Sequence, residues 1–136
     1  MNSGCQREEG GREPPARAPV YSIAHSKRSL GHFDEAVRLI REQLNQFPGD
    51  IEGFMLLASI QAENLVDLQA AQSTIEHLLN THPPPQAGAA ALFALADWHM
   101  SVQDVDSTRA TLERIHSNYP STPMARIAAQ RIADMG

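Results

Sequence analysis

The sequence predicts an all-α fold, and three observations predict it. Alanine and leucine dominate the apolar residues while aromatics make up only 5% of the chain, a balance that favours helix over sheet. From Pro19 nearly to the end, apolar residues recur at helical spacing with few β-branched runs. Prolines and glycines then cut this body into helix-sized pieces. The 136 residues suit one domain, residues 19–136, behind a polar leader, residues 1–18. That leader holds Gly4, Gly10, Gly11, Pro14 and Pro15, three arginines and three glutamates, and almost nothing to bury; it is expected to be disordered.

Seven helices are expected in order. The first covers Val20 to Leu30 and stops at Gly31. The second covers Asp34 to Phe47, with Asp34 and Glu35 at its positive end and Pro48-Gly49 closing it. Ile51 to Asn64 and Leu68 to Thr81 follow. Pro83-Pro84-Pro85 interrupts the chain, because proline cannot donate to a helix. Gln86 to Val102 resumes, then Asp106 to Asn118, ended by Tyr119-Pro120. Thr122 is a good N-cap with Pro123 at the first helical position, opening a last helix from Met124 to Met135.

The pieces repeat. Pro48, Pro83 and Pro120 lie 35 and 37 residues apart, and the residues 12 before each are Ala36, Ala71 and Thr108. The second helix of each pair carries Ile40, Ile75 and Leu112 at one equivalent place, and Gln43, Leu78 and Ile115 at another. On these residues the sequence resembles the tetratricopeptide-repeat (TPR) family, whose 34-residue unit is two antiparallel helices. Repeat 1 (17–50) matches with Val20, Ile23, Ala24, Gly31, Phe33, Ala36 and Pro48. Repeat 2 (51–85) matches with Phe54, Leu57, Ala58, Leu68, Ala71 and Pro83, after one residue inserted in its turn. Repeat 3 (89–122) matches more loosely with Leu92, Leu95, Ala96, Val105 and Pro120, with Gln103 in place of the turn glycine. The resemblance implies a right-handed TPR-like superhelix of about seven antiparallel helices, the last (123–135) capping repeat 3. Small residues such as Ala24, Ala36, Ala58 and Ala71 let the helix axes approach, and one repeat cannot bury its apolar face alone.

Little in the chain points to catalysis, so no enzyme is expected. No phosphate loop, GxSxG elbow or HExxH occurs. Cys5 is the only cysteine, which excludes an intramolecular disulfide and a thiolate-rich zinc site. His77 and His82 are five apart, a poor spacing for metal ligands on one helix face, and no metal or cofactor is expected. His99 falls at a packing position of its repeat and reads as a core-edge histidine, and Trp98 reads as a structural anchor against the capping helix.

Function is then expected to be recognition. The resemblance implies a concave groove lined by first-helix residues: Tyr21, His25 and Arg28 in repeat 1, Met55, Ser59 and Ala62 in repeat 2, and Phe93, Asp97 and Met100 in repeat 3. Glu52, Glu63, Ser29 and Ser101 fall beside them. Tyr, Met and Phe in a row would suit an apolar or amphipathic segment. The basic residues of TPR co-chaperones that grip acidic tails are replaced here by Tyr21, His25, Phe93 and Asp97, so no carboxylate clamp is expected.

The net charge of −5 argues against nucleic acid as a partner. Between Arg41 and Arg109 there is no Lys or Arg but there are nine acids: Glu42, Asp50, Glu52, Glu63, Asp67, Glu76, Asp97, Asp104 and Asp106. A one-signed field that steers a basic protein or peptide is the expectation from that stretch. No apolar run approaches the ~18 residues that span a bilayer, so no membrane insertion is expected. The first expectation is thus a protein-interaction scaffold, cytoplasmic by default. The alternatives are a TPR-type chaperone for a client protein and a structural spacer or dimerisation module of a bacterial envelope protein. Ser3-Gly4-Cys5 looks like the end of a bacterial lipoprotein signal, and an anchor before Cys5 would favour the envelope.

Overall fold

A computed structural model describes residues 18–136; the expected disordered leader and Cys5 lie outside the described residues. The helices are α1 (Ser22–Ser29), α2 (Phe33–Gln46), α3 (Ile51–Ser59), α4 (Leu68–Asn80), α5 (Pro85–Ser101), α6 (Val105–Asn118) and α7 (Pro123–Asp134). A π-helical turn, Ile60–Asn64, extends α3. The described residues are all-α, 77% of them helical, with no strand.

Side chains start four of these helices. Asp50, Asp67, Asp104 and Thr122 accept from the backbone N–H of Gly53, Ala70, Ser107 and Ala125 at 2.9, 3.1, 3.1 and 3.3 Å. Pro85 and Pro123 occupy first-turn positions of α5 and α7, where a missing N–H does no harm. The triple proline therefore launches α5 one residue earlier than expected.

Each helix packs on the next in sequence, and α5 also meets α7. The alanines expected at the crossings are buried: Ala36, Ala58 and Ala71 are wholly inside, with Ile40, Ile75, Leu78 and Ile115. One core cluster joins α1, α2 and α3 through Ala24, Ile40 and Leu57, and a larger one joins α3 to α7 through Ile75, Leu92, Leu95 and Leu112. Leu44 touches both. The capping role of α7 rests on Ala125 and Ala128, both buried in the second cluster.

The first repeat departs from its expected register. Val20 and Ile23, expected to pack, are 58% and 60% exposed, while Tyr21 is buried at 5%. The cause is that α1 starts only at Ser22. Tyr21 stands at its N-cap, folds onto Gly53 of α3 and donates to Asp50 Oδ2 at 2.6 Å. A methyl group at Gly53 would collide with the Tyr21 ring. Gly88 of α5 admits Tyr119 in the same way.

The three turns between paired helices share one conformation. Leu30 and Leu65 close the first helices in the right-handed region, and Val102 closes its helix just outside it at φ −102° and ψ 13°. Gly31, Val66 and Gln103 follow with φ of 83°, 52° and 62°. The next N–H, from His32, Asp67 or Asp104, donates to the carbonyl of Lys27, Gln61 or His99 at 2.8, 2.7 and 3.0 Å. This closing bond spans five residues in repeats 1 and 3 but six in repeat 2. The inserted residue of repeat 2 therefore lies inside the helix, as the π turn, and not in the loop where the sequence suggested it. There Leu65 N–H reaches back five residues to Ile60 at 2.9 Å.

Candidate functional site: the first-helix face

The π turn brings three helices into hydrogen-bond contact. Arg28, in the last turn of α1, donates from Nε to Asn64 Oδ1 at 2.6 Å. Its two terminal nitrogens reach Ser59 Oγ at 3.1 Å and Glu63 Oε1 at 3.2 Å. The other carboxylate oxygen of Glu63 accepts the indole N–H of Trp98 from α5 at 3.0 Å. One carboxylate thus links α1 to α5 across the π turn. The fork of the guanidinium satisfies three acceptors at once, which a lysine could not do in this geometry.

The contacts continue along α5 at Asp97, next to Trp98, and at Phe93, one turn earlier. Arg131 of α7 pairs with Asp97 at 3.1 Å, and its guanidinium carbon sits 4.8 Å from the centre of the Phe93 ring. Both charged partners are more than half exposed, so the ion pair itself contributes only about 0–1 kcal/mol. The contact sets the Arg131 guanidinium beside both Phe93 and Asp97.

Among the nine expected groove residues, Arg28 and Ser59 are joined directly, and Phe93 and Asp97 are joined through Arg131. His25 and Met100 are exposed, while Met55 is half-buried against the larger core cluster. Two expectations need correction. Tyr21 is buried beneath α3 and is not on the open face. Ala62 is half-buried and packs against the core, because the extra residue of the π turn rotates it inward and brings Glu63 to the place equivalent to Arg28. Trp98 is half-buried as an anchor, but its polar end is held by the π turn.

Four of the nine acids of the acidic stretch meet an arginine, and three others cap helices and keep their charge. Glu42 pairs with Arg38, Glu63 with Arg28, Glu76 with Arg114 and Asp97 with Arg131, while Asp50, Asp67 and Asp104 cap helices. Three of these pairs join residues 34 to 38 apart, about one repeat, so antiparallel packing returns arginines from outside the stretch onto it. These arginines offset four of the nine charges in the one-signed field expected from the linear sequence. Opposite charges at the repeat spacing were the signal that could have identified Glu63 and Arg131 beforehand.

The Ser107 hydroxyl and backbone N–H hold the Asp104 carboxyl below its ordinary range, which keeps this cap ionised. Tyr21 is shifted well above the ordinary tyrosine range, first by burial and then by its bond to the Asp50 carboxylate. Neither group lies on the open face. A cleft of about 430 Å³ between α2, α3 and α4 is lined by Leu44, Phe54 and Leu57 together with Arg41 and His77. Among the described residues no group of three His, Cys, Asp or Glu side chains is placed to hold a metal ion, and no helix is long and apolar enough to cross a membrane. No protein-family model matches the chain, and no curated protein matches it.

Proposed function

We propose that this chain is a non-catalytic, TPR-like protein-interaction module that holds a partner segment along the face of its first helices. The observation that carries the reading is the series of cross-helix contacts from Arg28 through Glu63 to Trp98, continued by Phe93, Asp97 and Arg131. Four helices contribute to it, although they lie far apart in sequence. A surface held by such contacts is ordered before a ligand arrives, which reduces the entropy lost on binding. Phe93 and Met100 offer apolar contact, and the arginines and acids beside them can bond a partner's backbone or charged side chains. The right-handed superhelix with a concave groove is the arrangement this reading entails.

Trp98 is the only tryptophan, so its emission reports on this face directly. The test is to select peptides from a random library on the immobilised chain and titrate them while following that emission. Bound peptides are expected to shift it. Phe93→Ala and Met100→Ala should each weaken binding by about 1 kcal/mol or more, with melting temperature nearly unchanged. Peptides that bind both variants as tightly as the parent, or that leave the Trp98 emission untouched, would place recognition elsewhere.

A further inference from the structure

The second helices of the repeats face one another across two junctions, and the two junctions fill equivalent places with different charges. Five residues after Ala36, Ala71 and Thr108 stand Arg41, Glu76 and Glu113; one place further on stand Glu42, His77 and Arg114. Between repeats 2 and 3, Glu76 of α4 and Arg114 of α6 use these two places for an ion pair with two hydrogen bonds. Between repeats 1 and 2 the same two places hold Arg41 of α2 and His77 of α4. Both side chains donate to anions, so this junction has the donors of an ion pair without its carboxylate. Neither forms an ion pair among the described residues, and the acids next to them in sequence are taken: Glu42 by Arg38 and Glu76 by Arg114.

Arg41 and His77 both line the cleft of about 430 Å³ between α2, α3 and α4. That volume is within the ~300–1,000 Å³ typical of small-molecule sites. Its lining divides by chemistry. Leu44, Phe54 and Leu57 supply apolar surface, and Arg41, Asn45 and His77 supply donors. None of the described residues that line it is acidic. Phe54 and Leu57 are 6% and 2% exposed, so the core fixes the apolar part. The His77 ring centre stands 5.6 Å from that of Phe54, which sets a donor directly beside that surface.

We propose that this cleft binds a small amphipathic carboxylate, whose head bridges Arg41 and His77 and whose apolar body covers Leu44, Phe54 and Leu57. The head supplies the anion that Glu76 supplies at the next junction, where an arginine holds a carboxylate through two bonds in the same packing setting. An inorganic anion would use the donors and leave the apolar part wet. A neutral apolar compound would use that part and leave the donors unpaired. The lining residues are separate from the cross-helix contacts of the first-helix face, so the site does not depend on the function proposed for that face.

The test titrates the full chain with 4-phenylbutyrate and follows the backbone amide shifts by NMR. Two controls accompany it: 4-phenylbutan-1-ol, which keeps the tail without the charge, and acetate, which keeps the charge without the tail. The carboxylate with its tail should move amides around Arg41 and His77 and bind about tenfold or more tightly than either control. Arg41→Gln should weaken binding about tenfold and, because Arg41 is exposed, leave the helical circular dichroism unchanged. Arg41→Glu with His77→Arg copies the Glu76–Arg114 pair and should abolish binding. The proposal is overturned by an alcohol that binds as tightly as the carboxylate, by a carboxylate indifferent to Arg41→Gln, or by binding that survives in the double variant. Shifts absent from the cleft overturn it as well, and so does a peptide with a free C-terminal carboxylate that binds there when the small compound does not.

Discussion

The three left-handed turn residues make a natural experiment on backbone strain, because one conformation is occupied by Gly31, Val66 and Gln103. An L-residue in this region is disfavoured by roughly 1–2 kcal/mol, with β-branched residues at the upper end. Glycine avoids that strain but loses about 0.5–1 kcal/mol through its freer unfolded chain. Val66 is 78% exposed, so Val66→Gly forfeits little packing. The net expectation is stabilisation by about 1 kcal/mol, or about 3–6 °C in melting temperature for a domain of this size. Gln103→Gly should follow in the same direction at about half that size, since glutamine is unbranched. The reverse change, Gly31→Val, should destabilise by about 1 kcal/mol. A Cβ there meets nothing within 4 Å, so no collision adds to the backbone strain. The assay is thermal and urea denaturation of the dilute chain, followed by circular dichroism. A destabilising Val66→Gly, or a neutral Gly31→Val, would refute the shared turn conformation on which this ordering depends.

Three other outcomes follow from buried contacts. The raised Tyr21 pKa stabilises the fold fully below the unfolded value near 10, and that contribution falls as pH rises above it; Tyr21→Phe should lose about 1–2 kcal/mol at neutral pH and flatten the alkaline decline in melting temperature. His99 is 6% exposed and its Nδ1 lacks a hydrogen-bond partner among the described residues, whereas Gln61 at the equivalent place in repeat 2 accepts from Thr74 at 2.6 Å. His99→Leu should therefore be neutral or stabilising by about 1 kcal/mol in urea unfolding, and a large loss would reveal a hidden partner. Gly88→Ala should cost about 1–3 kcal/mol despite the better helix propensity of alanine, because the new methyl would stand 2.5 Å from the Tyr119 hydroxyl; calorimetry showing a gain would mean that Tyr119 moves aside.

The packing skeleton was legible because it is periodic. Ala36 and Ala71, Ile75 and Leu112, and the spaced prolines announce paired helices, and the four alanine, isoleucine and leucine side chains are buried. The first-helix face was legible only in part. Arg28, Ser59, Phe93 and Asp97 were placed by repeat position and do make contacts there. Ala62 was misplaced because a period reveals that repeat 2 has a surplus residue but not where the backbone absorbs it. Tyr21 was misplaced because repeat position presumes a helix that has already begun, and α1 begins one residue later. The pairing of Glu63, Glu76 and Asp97 required the third dimension: linear charge counting separates residues that antiparallel packing joins.

The π turn shows how such a chain can alter its surface without altering its architecture. One extra residue advances the helix by about 100°, yet the closing bond from Asp67 to Gln61 restores the turn, and the repeats beyond continue in phase. The change is confined to which residue looks outward at one rung: a carboxylate, Glu63, where the unshifted register would have shown the methyl of Ala62. A single-codon gain or loss inside a helix thus acts here as a local edit of chemistry. In this architecture, the chemistry of the surface is open to insertion and deletion as well as to substitution.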